Sequence, residues 1–176
     1  MAAADFRQDA AGTLNRLVRE CGMRAMFGNI FIPTMQPIGL GGGTLINSAI
    51  CVRAPGFVWD KWAAVAGTED LSSASMAPHY DRVEKYWGVA ATPDEVQGER
   101  NLSFKRGCEV LGISSEPISR NVIGCQGSAE CFTGCRNNAK RSTDLVYIRD
   151  ALDHGARVYS SVREIGRASC RERVSS

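Results

Sequence analysis

Three cysteines, Cys125, Cys131 and Cys135, fall within eleven residues in the run GCQGSAECFTGC. Gly124, Gly127 and Gly134 sit beside them and permit sharp turns, so three thiolates can converge on one soft centre. Three ligands on one tight loop suit a [3Fe–4S] cluster. Zinc asks for a fourth ligand, commonly from a second cysteine pair. No second pair is present, and the two histidines, His79 and His154, fall in expected helices. Two other readings stay open on the residues alone: one disulfide with a free thiol, or three reduced structural cysteines.

A second stretch, GLGGGTLINSAI from Gly39 to Ile50, is the most glycine-dense point of the chain. Consecutive glycines have no Cβ and let the backbone approach a bulky ligand closely. A helix starting near Thr44 would aim its free N–H groups at a phosphate or an electron-rich ring edge. The pattern is neither a Gly-x-Gly-x-x-Gly turn nor a Lys-containing phosphate loop. On the glycines alone, a plain loop is an equal reading.

The elements that must position these stretches follow from periodicity and caps. Asp5 can cap a helix over residues 5–20, with Phe6, Ala10, Leu14, Leu17 and Val18 on one face and Gly22 at its end. Residues 28–33 are a short apolar strand. Residues 58–65, including Ala63, form a helix. Ser75 caps another that aligns Met76, Tyr80, Val83 and Trp87, with Pro78 in its first turn. Residues 92–101 are polar and turn-rich, an exposed connection. Residues 103–111 align Phe104, Cys108 and Leu111. Thr143 or Asp144 caps a helix to residue 153, Gly155 stops it, and residues 157–162 alternate as a strand. Trp59, Trp62 and Trp87 are expected in the core. Helices interleaved with a few short strands predict an α/β or α+β fold.

The chain has 176 residues, with 21 Lys+Arg against 19 Asp+Glu, a net charge of +2. That balance argues against nucleic acid as a partner. Hydrophobic residues are 44% and charged residues 23%, which is wrong for a disordered chain. No run approaches the roughly 20 apolar residues of a membrane span, and there is no basic-then-apolar leader, so the expected compartment is the cytoplasm. Seven unevenly spaced cysteines argue against a secreted disulfide scaffold. The last stretch, residues 164–176, has no strand alternation and no helical stripe. EIGRASCRERV matches an in-frame translation of a sequencing adapter, so that stretch, with Cys170, is expected not to be native.

The run from Leu40 to Asn47 (LGGGTLIN), followed by Cys51 to Pro55 (CVRAP) and Asp60, resembles a signature of the glucose–methanol–choline (GMC) oxidoreductases. So do Gly124 and Cys125 through Cys131 and Cys135, Asn138 to Lys140, Ser142 to Asp144, Tyr147, Ile148, Ala151, Leu152 and the run Gly155 to Val158. The likeness covers residues 4–163 and leans towards the bacterial sterol- and long-chain-alcohol-oxidase-like branch. The resemblance implies FAD as cofactor and a lid over it spanning residues 37–60. Leu40, Gly41, Gly42, Gly43 and Thr44 would pack on the cofactor, and Asn47, Ser48, Ala49 and Ile50 would lie against the flavin ring. It places the backbone of Val162 at the adenine. It implies an alcohol, sterol or sugar substrate, hydride transfer to flavin, and an electron-acceptor protein or quinone. Some members with this cysteine spacing carry a [3Fe–4S] cluster, which puts Cys125, Cys131 and Cys135 forward as ligands.

The sequence departs from the family at Pro37 and Ile38, at Cys51, and at Arg136 and Asn138, the last standing where a Gly is usual. The family's dinucleotide-binding turn is expected before Met1 and its catalytic His after Arg163. The expectation is therefore an internal fragment of a two-domain FAD-binding fold: lid, helical segment 61–111, cysteine loop 124–140 and helix–strand 143–163. No residue here is assigned as catalytic, and the fragment alone is expected to be inactive. From another class, the chain would be a small iron–sulfur or zinc-binding electron-transfer or interaction module built on Cys125, Cys131 and Cys135. A third reading is a domain whose glycines and cysteines are only structural.

Overall fold

The computed structural model describes residues 9–162. Asp9 caps the first helix, α1 (Ala10–Leu17), its carboxylate accepting the Gly12 N–H at 2.5 Å. The expected cap, Asp5, lies outside the described residues, as does Phe6. The helix stops at Leu17, short of residue 20, because Val18 turns extended and bridges to Pro37. A tight turn over Arg19–Gly22 then holds Glu20 and Cys21 at positive φ. The strand expected at residues 28–33 is the second arm of a hairpin: β1 (Ala25–Phe27) pairs antiparallel with β2 (Phe31–Pro33).

Helix α2 (Gly56–Ala66) packs against α3 (Ser73–Trp87). The cap of α3 is Ser72, which accepts the Ser75 N–H, so Pro78 lies in the helix interior and not in the first turn. Trp59 and Tyr80 meet edge-on with centroids 6.2 Å apart. Trp62 is 53% exposed and does not join the core, contrary to expectation, while Trp59 and Trp87 are half-buried. Strand β3 (Val89–Ala91) pairs antiparallel with β4 (Ser119–Asn121). Helix α4 (Glu99–Leu111) begins earlier than expected; it buries Cys108 but leaves Phe104 and Leu111 exposed.

The helix expected over residues 143–153 is two pieces, a wide turn at Asp144–Ile148 and then α5 (Arg149–Asp153). Residues 157–162 form no strand; alternation there meets no pairing edge among the described residues. The described strands make two separate antiparallel pairs, so the architecture is mixed helix and strand of the α+β kind. Leu17, Val18, Leu45 and Ile46 form the buried core, with Leu14 packed against it. That core is the back wall of the glycine-rich stretch. No helix among the described residues is long and apolar enough to cross a membrane.

Candidate functional site

The glycine stretch folds as a loop closed by one 3-10 turn, Gly42–Leu45, and the α-helix expected to begin at Thr44 does not form. Gly41 has φ +100, and a Cβ there would stand 2.9 Å from Asp144 Oδ1 and 3.2 Å from the Asp144 backbone nitrogen. Only glycine fits. The reverse holds at Gly42 and Gly43, where an added Cβ would meet nothing within 4 Å. Their backbone faces open space, as close approach by a broad ligand requires. The Thr44 hydroxyl donates to the Gly41 carbonyl at 2.6 Å and accepts the Thr143 N–H at 2.9 Å. Leu40 is partly exposed beside them.

The strip that follows is pinned from behind along its whole length. The Lys140 ammonium donates to the carbonyls of Leu45 (2.7 Å), Asn47 (3.1 Å) and Cys131 (2.7 Å). Arg120 reaches the Ser48 carbonyl at 3.4 Å. The Asn121 N–H donates to the Ala49 carbonyl, and the Cys51 N–H donates to the Ser119 carbonyl. Asn47 turns back on itself, its side-chain oxygen accepting the Ala49 N–H at 3.2 Å. Ala49 is fully buried at φ +61, a conformation a residue with a Cβ holds only when its surroundings enforce it. Ser48 and Ile50 are left facing outwards. They line a cavity of about 380 Å³ with Val96, Phe104, Ile118 and Arg120.

Lys140 is 2% exposed, and burial lowers its pKa to about 8, against the opposing pull of nearby Cys131 and Cys135. Burial pushes the Cys51 thiol up; its sulfur lies 3.6 Å from Asn121 Oδ1. A flanking network steadies the exit of the strip. Arg53 pairs with Glu84 at 2.5 Å and with Asp81 at 2.7 Å on α3, and the Ala54 N–H donates to the Tyr80 hydroxyl. The Arg53 guanidinium holds the Glu84 carboxyl below its ordinary range.

The cysteine loop behaves differently. Among the described residues no group of three or more His, Cys, Asp or Glu side chains is placed to hold a metal ion. Cys131 Sγ accepts from Arg120 at 2.6 Å, whereas Cys125 Sγ accepts the Gly127 N–H at 3.5 Å. The expected convergence of Cys125, Cys131 and Cys135 on one metal is not seen among the described residues. Nothing in this arrangement supports a [3Fe–4S] cluster. The disulfide reading fails too, since all six described cysteines are free. Asn138, where the family has Gly, holds φ +52; asparagine is among the few residues that tolerate this conformation, so the turn survives the substitution.

Val162 is 73% exposed in an irregular stretch, away from any strand. His79 is exposed beside Arg82, and the Asp150 backbone carbonyl raises the pKa of His154. Arg120 and Asn121 were not singled out by the sequence reading, and Lys140 appeared only within a motif. The available signal was faint: Ile118, Arg120 and Val122 alternate with short polar residues, the mark of a brief strand.

The family model described as GMC oxidoreductase matches residues 14–165. The chain belongs to the GMC oxidoreductase family. An uncharacterized GMC-type oxidoreductase of Mycobacterium tuberculosis is 29% identical over 147 residues, 84% of this chain and 23% of that protein. A long-chain-alcohol oxidase of Arabidopsis thaliana is 29% identical over 124 residues, 70% of this chain and 16% of its own length. A cholesterol oxidase of Acinetobacter baumannii is 24% identical over 157 residues, covering 72% of this chain and 27% of that protein. The chain thus spans less than three tenths of the length of the curated relatives it matches. No solved structure matches it with significance.

Proposed function

We propose that this GMC chain forms the flavin lid of an FAD-dependent oxidoreductase acting on CH–OH donors, with an apolar alcohol or a sterol as substrate. The observation that carries the reading is that the family match runs through the glycine loop and through Lys140, the residue that holds it. The residues fit the cofactor. Gly42 and Gly43 are open to close approach, and Leu40, Ser48 and Ile50 stand free of the core on the same loop. In this reading residues 40–44 lie along FAD and residues 47–50 against its ring. When bound, the flavin supplies the hydride acceptor for the alcohol carbon and a route to an acceptor protein or quinone.

What this chain's residues do is position and exclude. Buried Leu45, Ile46 and Ala49 keep water from the back of the lid, and the Asn47 side chain is spent holding the turn rather than the substrate. Ile50, Val96, Phe104 and Ile118 give the neighbouring cavity an apolar side, which suits the alcohol and sterol chemistry named for the relatives. Neither His79 nor His154 is assigned as the base. No step is routed through the cysteines.

The test is spectroscopic. The full protein carrying this chain, purified with FAD supplied, should show bound-flavin absorbance that bleaches under anaerobic addition of a long-chain primary alcohol or a sterol. A preparation without flavin absorbance, or a bound flavin indifferent to both donors, overturns the reading.

A further inference from the structure

Lys140 is the largest fully buried side chain among the described residues, yet it carries an ammonium. Among the described residues no carboxylate forms an ion pair with it, although Asp144 lies near enough to favour its charge. Its three hydrogen bonds go to backbone carbonyls: two on the lid strip, Leu45 and Asn47, and one on the cysteine turn, Cys131. These acceptors lie 95, 93 and 9 residues away in sequence, so the contact is wholly tertiary on the lid side. An ammonium offers three donors, and here each has a carbonyl. A second cation repeats the link. Arg120 joins the Ser48 carbonyl to the Cys131 sulfur. Two buried or half-buried cations thus tie the same strip to the same turn.

The strip cannot hold its shape from local forces. Ala49 at φ +61 is disfavoured by its own Cβ, and its local support is the Asn47 side chain and a long contact from the Cys51 thiol to its carbonyl. We infer that Lys140 is a positioning residue, which with Arg120 fixes the Asn47–Ile50 strip against the cysteine turn and so sets the face the lid presents. The functional meaning of that face rests on the flavin reading above; the clamp itself does not. On this view the cysteine turn is an anchor for the lid, with the Cys131 backbone and sulfur as fastening points.

The test compares Lys140→Met, which keeps the length and removes the charge, with Val146→Ala, a core change of comparable cost that touches no lid carbonyl. Hydrogen exchange is read by peptide in the purified protein. Lys140→Met should speed exchange over residues 45–51 by on the order of tenfold more than over α3. Val146→Ala should raise both alike. Equal acceleration in the two regions for Lys140→Met overturns the inference. If that variant fails to fold, Lys140→Arg carries the same test. A planar guanidinium cannot meet three carbonyls in the ammonium's arrangement, so lid-selective exchange is again expected and its absence again overturns the proposal.

A second readout applies once FAD is bound. Lys140→Met should lower kcat severalfold at nearly unchanged KM and flavin content, because the lid's face and not the pocket has shifted. Unchanged kcat with lid-selective exchange would overturn the part of the inference that concerns the lid's face and leave the clamp. A protein that loads no flavin would sink the functional reading, while the exchange result would still decide the clamp.

Discussion

The glycine lid and the cysteine turn look alike in the sequence: each is a short run of small, flexible residues with a plausible ligand. In the structure they part company. The lid draws Ser119, Arg120, Asn121, Lys140 and Thr143 onto a few residues, and each of those partners is spoken for. The cysteine turn draws its thiols to unrelated neighbours. Many distant residues converge on the first, whereas the second is tied to the rest where Cys131 meets Arg120 and Lys140. Glycine density and cysteine density are both permissive signals; neither contains the convergence that makes a site.

The sharpest contrast comes from two glycines. Gly41→Ala sets a Cβ within 2.9 Å of Asp144 at φ +100 and should cost about 3 kcal/mol in urea unfolding. Gly127→Ala, at φ +67 with open space around it, should cost only about 1 kcal/mol. Equal costs would mean that the lid is no more tightly built than the cysteine turn.

Lys140→Met comes next. It strands three carbonyls but also relieves a buried charge, and the balance should be a loss of about 2 kcal/mol near pH 7. The pH dependence has a definite sign. The folded-state pKa is about 8 against an ordinary 10.5, so between those values the unfolded chain binds more protons. Wild-type stability should therefore rise with pH across that window, by at most about 3 kcal/mol, relative to Lys140→Met, which lacks the titration. A gap that narrows as pH rises from 8 to 10.5 would contradict the burial of this ammonium.

Part of the glycine loop was legible before the structure. The glycine core, Thr44 and the strip 47–50 announce themselves because glycine and small polar residues leave few alternatives at a close approach. One arm of the hairpin, α2 and α4 were expected, the helices with starts two and four residues late where caps are weak: Pro55 and Gly98 offer no side-chain cap at all. What stayed hidden was tertiary. Three residues of β4 carry no strong strand pattern, yet each supplies one of the strip's pins. Lys140 reads as a surface lysine until its acceptors, almost a hundred positions earlier, come alongside. The strand expected at 157–162 shows the converse error, since alternation is no use without an edge to pair with.

A smaller effect probes the flank. Arg53 is partly exposed, so its pairing with Glu84 should contribute only a small amount of stability, screened by salt. Glu84→Gln should lose that amount at neutral pH. The depressed Glu84 carboxyl means the pairing is present above its ordinary titration range and fades as pH falls through the lowered value, so wild type and Glu84→Gln should converge in acid.

The smallest expected effect is the most telling about the cysteine turn. Cys125 accepts one long N–H contact on a half-exposed loop, and Cys125→Ser exchanges one weak acceptor for another. It should change stability by less than about 0.5 kcal/mol. Cys131→Ser should cost more, about 1 kcal/mol, because the shorter Cβ–O bond draws the acceptor away from the Arg120 guanidinium. The inequality matters more than either value. Three cluster ligands would fail together, each substitution abolishing bound iron and acid-labile sulfide. An anchor fastened at Cys131 alone predicts one sensitive position and one silent one. Stoichiometric sulfide after anaerobic reconstitution with iron, lost in Cys125→Ser, would restore the cluster and reverse the contrast between the two regions.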